Sequence, residues 1–181
     1  MIGSPPVPAI ESVIAHLKRT SPHELDEFLA PDVMLVPCPR SAPFPPKQSP
    51  ALWVPHRICE RLQMEGYGSW ILPILTRVVA VKKSAFAAPG ERPTPKRHME
   101  TMEVFHSLDA PERITLVDDV VTKGATLLGG ASLLASAFPG ADIRAFALVR
   151  TTGLVPEVTR LVDPVVGTIS LDAWGEAERN P

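Results

Sequence analysis

One thirteen-residue stretch constrains this chain more than any other: Ile114-Thr115-Leu116-Val117-Asp118-Asp119-Val120-Val121-Thr122-Lys123-Gly124-Ala125-Thr126. Its first four residues read as a buried strand, which ends in two adjacent carboxylates. A loop of small and hydroxyl-bearing residues follows. A helix then runs from Ala125 to Phe138, offers Leu127, Leu128, Leu133 and Leu134 to a core, and stops at Pro139-Gly140. Strand, tight loop and helix make half of a βαβ unit. Whatever follows such a strand lies at its carboxyl end, where open α/β sheets take their ligands.

The rest of the chain carries the same alternation. Residues 9–19 set Ile10, Val13, Ile14 and Leu17 on one helical face, and Ser21-Pro22-His23-Glu24 starts a second helix that runs to about Leu29. Asp32 to Val36 reads as a buried strand. Pro37, Pro39, Pro43, Pro45, Pro46 and Pro50 then stiffen a long loop, and a helix is predicted over 51–64. Strands are predicted over 70–81, with a break near Pro73, and over 101–105, 143–149 and 165–170. Residues 82–98, rich in Lys, Arg and Pro, read as a long mobile loop. The expected architecture is α/β: a single domain over 1–181, with a mainly parallel sheet flanked by helices. A small hood is expected from the N-terminal helices of residues 1–30 or from the C-terminal strand.

Composition narrows the function classes. With 45% hydrophobic and 21% charged residues and a net charge of −2, the 181-residue chain has no global field for nucleic acid or membrane. No stretch approaches the ~18 apolar residues of a membrane span. Cys38 and Cys59 have neither metal-ligand spacing nor a disulfide framework, and the N-terminus has no signal-peptide pattern, so a cytoplasmic protein is expected. No metal ligand is assigned directly.

The helix that opens at Ala125 offers unpaired N–H groups and a positive dipole end, which suit a phosphate. Thr122, Gly124 and Thr126 add hydroxyls and close backbone approach. Two carboxylates beside a phosphate would repel it unless they meet hydroxyls or a metal, and a sugar diol meets that need. The residues alone therefore point to a phosphorylated sugar. The alternative is a generic strand–turn–helix with its acids turned to solvent.

This stretch resembles the motif by which type I phosphoribosyltransferases bind 5-phosphoribosyl-1-pyrophosphate (PRPP). The resemblance implies that Asp118 and Asp119 are the catalytic acids and hold the ribose hydroxyls. It implies that Thr122, Lys123, Gly124, Ala125 and Thr126 hold the 5′-phosphate. The loop commonly reads Thr-Thr-Gly in that family and here reads Thr122-Lys123-Gly124. The 6-oxopurine-salvage branch carries an Asp where Thr122 stands, which argues against that acceptor. Val36-Pro37-Cys38-Pro39-Arg40-Ser41 resembles, more weakly, the competence-associated ComF-like members, and implies a pyrophosphate loop at Pro39, Arg40 and Ser41.

Residues 77–98 carry Arg77, Lys82, Lys83, Arg92, Lys96 and Arg97 against Glu91 alone. The resemblance implies a lid there, with Lys82 and Lys83 reaching the pyrophosphate; the alternative is a solvated charge run. It further implies magnesium as cofactor, PRPP and a nitrogen acceptor as partners, and room for a homodimer. The runner-up function is a non-catalytic regulator that senses PRPP or binds nucleic acid. Only Phe86 offers a stacking ring within the basic run, which makes nucleic acid the weaker reading. Arg150-Thr151-Thr152-Gly153 is a candidate acceptor segment. Trp53, Trp70 and Trp174 are expected to pack, and His16 and His23 to lie on surface helices.

Overall fold

A computed structural model describes residues 7–20, 22–45, 53–82, 91–105, 111–151 and 164–180. The sheet is built around one strand. β4 (Arg113–Val121) pairs in parallel with β1 (Met34–Pro37) on one side and with β5 (Asp142–Arg150) on the other, giving the order β1-β4-β5. Ile114 to Val117 are all buried, because helices or further chain cover both faces at the centre of the sheet. Ile71 adds a single parallel bridge beside Leu35, so the chain after the third helix extends the sheet on its β1 edge.

Register sorts the core into two halves. Leu35, Val117 and Phe146 share one face, where α1 (Val7–Thr20), α2 (Pro22–Leu29) and α3 (Val54–Met64) pack through Ile14, Leu29, Ile58 and Leu62. Thr115 is the buried polar residue on this face of β4, and its hydroxyl donates to the Phe28 carbonyl at the end of α2. Val36, Ile114, Leu116 and Ala145 share the other face, against Leu127, Leu134 and Phe138 of α5 (Ala125–Ala137) and its C-terminal flank. β2 (Leu75–Arg77) and β3 (Met102–Val104) form an antiparallel pair on this second side, and α4 (Pro95–Met99) lies against α5. β6 (Thr168–Leu171) and β7 (Ala177–Asn180) form a separate antiparallel hairpin.

Several sequence expectations change. Residues 102–104 and 168–171 are strands, but both lie in antiparallel pairs outside the parallel sheet. The predicted strand over 70–81 shrinks to Leu75–Arg77 and the bridge at Ile71. The basic stretch is not loop throughout: residues 83–90 lie outside the described residues, while Pro95–Met99 is a helix. Thr94 caps it, its hydroxyl accepting from the Arg97 N–H, and Pro95 opens it with the φ a first turn requires. Of the two segments expected to form a hood, α1 and α2 belong to the helical layer, whereas β6–β7 reaches the start of α5. No described helix is long and apolar enough to cross a membrane.

Two glycines let α5 sit close to its neighbours. A Cβ on Gly129 would stand 2.8 Å from the Pro95 carbonyl oxygen, and one on Gly130 would stand 2.9 Å from Leu116 and from Leu75. We expect Gly129→Val to push α4 away from α5 and to destabilise the protein by about 1–3 kcal/mol in urea denaturation, the usual cost of overpacking. A variant as stable as wild type would show that the contact can relax.

Candidate active site

Helix placement marks the site before any motif does. α3, the helix after β1, packs on one face of the sheet, and α5, the helix after β4, packs on the other. A crevice therefore opens between the carboxyl ends of β1 and β4, at the point where the winding of the sheet reverses. β1 ends at Pro37, opposite Val117, and the Cys38 N–H closes the ladder on the Val117 carbonyl at 2.7 Å. β4 continues. Asp118, Val120 and Val121 still pair with β5 but have lost their neighbour on the β1 side. The two acids thus lie within the strand rather than at its tip, on an edge that β1 has vacated.

The carboxylates are held locally. The Asp119 N–H donates to Asp118 Oδ1 and the Val120 N–H to Asp119 Oδ1, each at 2.9 Å. The Cys38 thiol also donates to Asp118. Burial first, and then the negative charge of Asp119, push the Asp118 carboxyl up to about 8. Cys38 is buried, and burial together with the Asp118 charge holds its thiol well above the ordinary range. It is a hydrogen-bond donor to the acid, not a nucleophile.

Beyond Val121, Thr122 and Lys123 lead to Gly124, which takes φ +89° and ψ 12° at the N-cap of α5. Glycine is required twice over. The left-handed conformation disfavours a side chain, and a Cβ would meet Ile169 Cδ1 of the β6–β7 hairpin at 2.6 Å. No side chain caps α5, so the first N–H groups of the helix are left to solvent or a ligand. Thr122, Ala125 and Thr126 are half-buried and Lys123 is exposed.

Pro39, Arg40 and Ser41 follow β1 directly and so border the same crevice. Trp53 Nε1 donates to the Cys38 carbonyl at 2.8 Å, and Phe44 packs on the Trp53 ring with centroids 5.6 Å apart. The Arg40 guanidinium lies 5.0 Å over the Phe44 ring. The Val81 N–H donates to the Ser41 carbonyl at 2.7 Å and brings the neighbouring Lys82 beside this loop. Lys82 is ion-paired with Glu91 and lines a cleft of about 360 Å³ with Arg92 and Arg97, away from the two acids. Lys83 lies outside the described residues, as do Thr152 and Gly153 of the candidate acceptor segment.

Trp53 packs as expected, but Trp70 and Trp174 do not. Trp70 is exposed, and Trp174 stands 89% exposed at the turn of the β6–β7 hairpin. Sequence reading also missed three residues. Arg77 and His98, read only as the ends of a basic stretch taken for a lid or a solvated charge run, are buried at 5% and 3% exposure and join the site to that stretch. Arg179 of β7 donates to the Thr151 carbonyl at 2.7 Å, and its other terminal nitrogen, Nη1, is buried without a partner among the described residues. A lone Arg in a terminal strand gives no signal of this kind.

No protein-family model matches the sequence, and no curated protein matches it. Among solved structures the chain is similar to a hypoxanthine phosphoribosyltransferase from Staphylococcus aureus. The match has 11% identity and a TM-score of 0.44, covering 86% of this chain and 70% of that one. It is also similar to the adenine phosphoribosyltransferase of Leishmania tarentolae, at 18% identity and a TM-score of 0.35, covering 80% and 70%. No residue role is carried over from either.

The acid pair predicts a pH profile. Asp118 keeps a proton in the folded state that the unfolded chain releases above its ordinary value of 3.8, so its contribution lowers stability as pH rises toward about 8. His98, held down to about 4 by burial and then by Arg77, does the opposite between about 4 and its ordinary 6.5. Above 6.5 only the Asp118 effect remains. The melting temperature of ligand-free protein should therefore fall between pH 6.5 and 8, and Asp118→Asn should flatten that slope. An unchanged slope in the variant would show that Asp118 is ionised throughout.

Proposed function

We propose that this protein binds PRPP with magnesium and transfers its 5-phosphoribosyl group to a nitrogen acceptor, with release of pyrophosphate. One observation carries the reading. Two adjacent carboxylates stand on a vacated strand edge at the reversal point of the sheet, and an uncapped helix start follows them after five residues. Asp118 and Asp119 can only accept hydrogen bonds when ionised, so they suit the two ribose hydroxyls. Thr122, Lys123, Gly124, Ala125 and Thr126 bring N–H groups, two hydroxyls and one ammonium to a phosphate. Pro39, Arg40 and Ser41 are the proposed pyrophosphate side; Lys82, proposed with them, would have to leave its ion pair with Glu91 to reach it, and Lys83, proposed likewise, lies outside the described residues.

The residues fit magnesium in a particular way. Among the described residues no three His, Cys, Asp or Glu side chains form a metal cage. Magnesium often needs none, because it takes one or two carboxylates and completes its shell from phosphate oxygens and water. When bound, it would neutralise charge on the departing pyrophosphate. The protein's own part is positional. Asp118 and Asp119 fix the ring, the α5 start fixes the 5′-phosphate, and C1 is left facing the crevice. There the C1–O bond to pyrophosphate breaks and a C1–N bond to the acceptor forms, the acceptor nitrogen losing its proton.

A second reading, a regulator that senses PRPP or binds nucleic acid without turnover, is favoured by the cleft that gathers Lys82, Arg92 and Arg97 outside the crevice. Turnover separates the two: production of pyrophosphate from PRPP with some nucleobase or amine supports the enzyme. Salt-sensitive nucleic-acid binding without turnover supports the regulator.

PRPP with magnesium should raise the melting temperature, with a gain of about 2.7 kcal/mol at a ligand concentration 100 times the dissociation constant. Asp119→Ala should leave the fold intact and lose about 1.5–3 kcal/mol of PRPP binding in calorimetry, the scale of a charge-assisted hydrogen bond. Absence of any shift at millimolar PRPP would defeat the proposal, and undiminished affinity in a folded Asp119→Ala would remove the acids from the site.

A further inference from the structure

Arg77 is a buried cation. Among the described residues it pairs with no carboxylate, and its guanidinium is held by neutral acceptors only. Nε donates to the Arg40 carbonyl at 3.0 Å, Nη1 to Thr101 Oγ1 at 2.6 Å, and Nη2 to His98 Nδ1 at 3.1 Å. The opposite ring nitrogen, His98 Nε2, lies 3.2 Å from Thr126 Oγ1 at the start of α5. One buried chain of hydrogen bonds therefore runs from the loop after β1, through β2 and α4, to the proposed phosphate loop.

Its polarity is forced at one end. A guanidinium has only donors, so His98 Nδ1 accepts and carries no proton. A neutral imidazole then carries its proton on Nε2 and must donate it to Thr126. The Thr126 oxygen accepts, and its own O–H is left without another partner among the described residues. From these contacts we infer that Arg77 and His98 are positioning residues that occupy one acceptor site of the Thr126 hydroxyl and leave its O–H to donate to the phosphate of a sugar phosphate. The inference rests on the phosphoribosyl reading and deepens it. Burial keeps His98 neutral, with its titration held down to about 4, so the relay keeps one polarity at neutral pH.

The two halves of the site then have different demands. Ionised acids only accept and call for hydroxyl donors, whereas the α5 N–H groups and the free Thr126 O–H donate and call for an acceptor. A sugar with a free 5-hydroxyl satisfies the first half and leaves the second without charge to balance. The buried Arg77 behind it adds to the preference for an anion.

Two measurements test this. Long-range ¹H–¹⁵N NMR of the ligand-free protein at pH 7 should show His98 as the Nε2–H tautomer with Nδ1 unprotonated. The other tautomer, or an imidazolium, overturns the inference without reference to any ligand. Calorimetry with ribose 5-phosphate then compares wild type, His98→Asn and His98→Gln, each first shown to be folded. An Asn amide reaches the Nδ1 position, so it meets Arg77 but loses the donor to Thr126. A Gln amide reaches the Nε2 position and restores that donor. Affinity should fall roughly tenfold in His98→Asn, as for the loss of a hydrogen bond serving a charged group, and recover in His98→Gln. Two variants that match wild type, or that lose affinity equally, overturn the relay while leaving the phosphoribosyl reading standing. Wild type that is folded but takes up no ribose 5-phosphate overturns that reading and the relay with it.

Discussion

β1 stops short of β4, and much of the site follows from that. Its last bond to β4 runs from the Cys38 N–H to the Val117 carbonyl, and Pro37 and Pro39 leave no donor on the opposite edge, where the Leu35 N–H bonds the Trp70 carbonyl. β4 runs on to Val121, supported by β5 alone. The unequal lengths create a free strand edge within the sheet, and the residues that fall on it are Asp118 and Asp119. Had β1 been longer, the same two acids would have faced a neighbouring strand, and burying their charge there would have cost several kcal/mol each. The site is a place where the sheet stops being a sheet.

Electrostatics at this edge show how a polar crevice is tolerated inside an apolar molecule. The acid pair does not carry two full charges at neutral pH in the absence of a ligand, because burial and mutual repulsion favour a retained proton on Asp118. Among the described residues the buried Arg77 pairs with no carboxylate, and its guanidinium meets a carbonyl, a hydroxyl and a neutral imidazole. On the proposed reading, the sheet edge would take a sugar diol and the helix start a phosphate. Ile169 of the β6–β7 hairpin closes against Gly124 between them, so the hairpin belongs to the site although it shares no strand with the main sheet.

Residues 114–126 were legible because local chemistry dictates their structure. An apolar run bounded by acids pairs as a central strand, and a small-residue loop before a leucine-rich stretch starts a helix whatever surrounds it. The same reasoning placed Val7–Thr20 and Val54–Met64 as helices to within a few residues. It failed at Pro95–Met99, where Lys96 and Arg97 suggested solvent. There Thr94 and Pro95 are a helix start that the charge pattern concealed. It failed again for the small strands, since four residues such as Thr168–Leu171 have no intrinsic preference for parallel or antiparallel partners, and pairing is decided by which edge lies within reach.

By itself the sequence determined the strand–acid–loop–helix unit. That unit depends on neighbouring residues and on backbone dihedrals, and needs no distant partner. Only the tertiary structure decided that Arg77, His98 and Thr126 meet. Forty-nine positions separate the first from the last in the sequence. Their contact requires β2, α4 and α5 to pack on one face of the sheet, with Gly129 letting two helices approach. A titratable or cationic side chain read in isolation defaults to solvent, because water is where an unpartnered charge is most stable. Burial with a defined set of acceptors is a property of the packed face, and it exists only once the chain has folded.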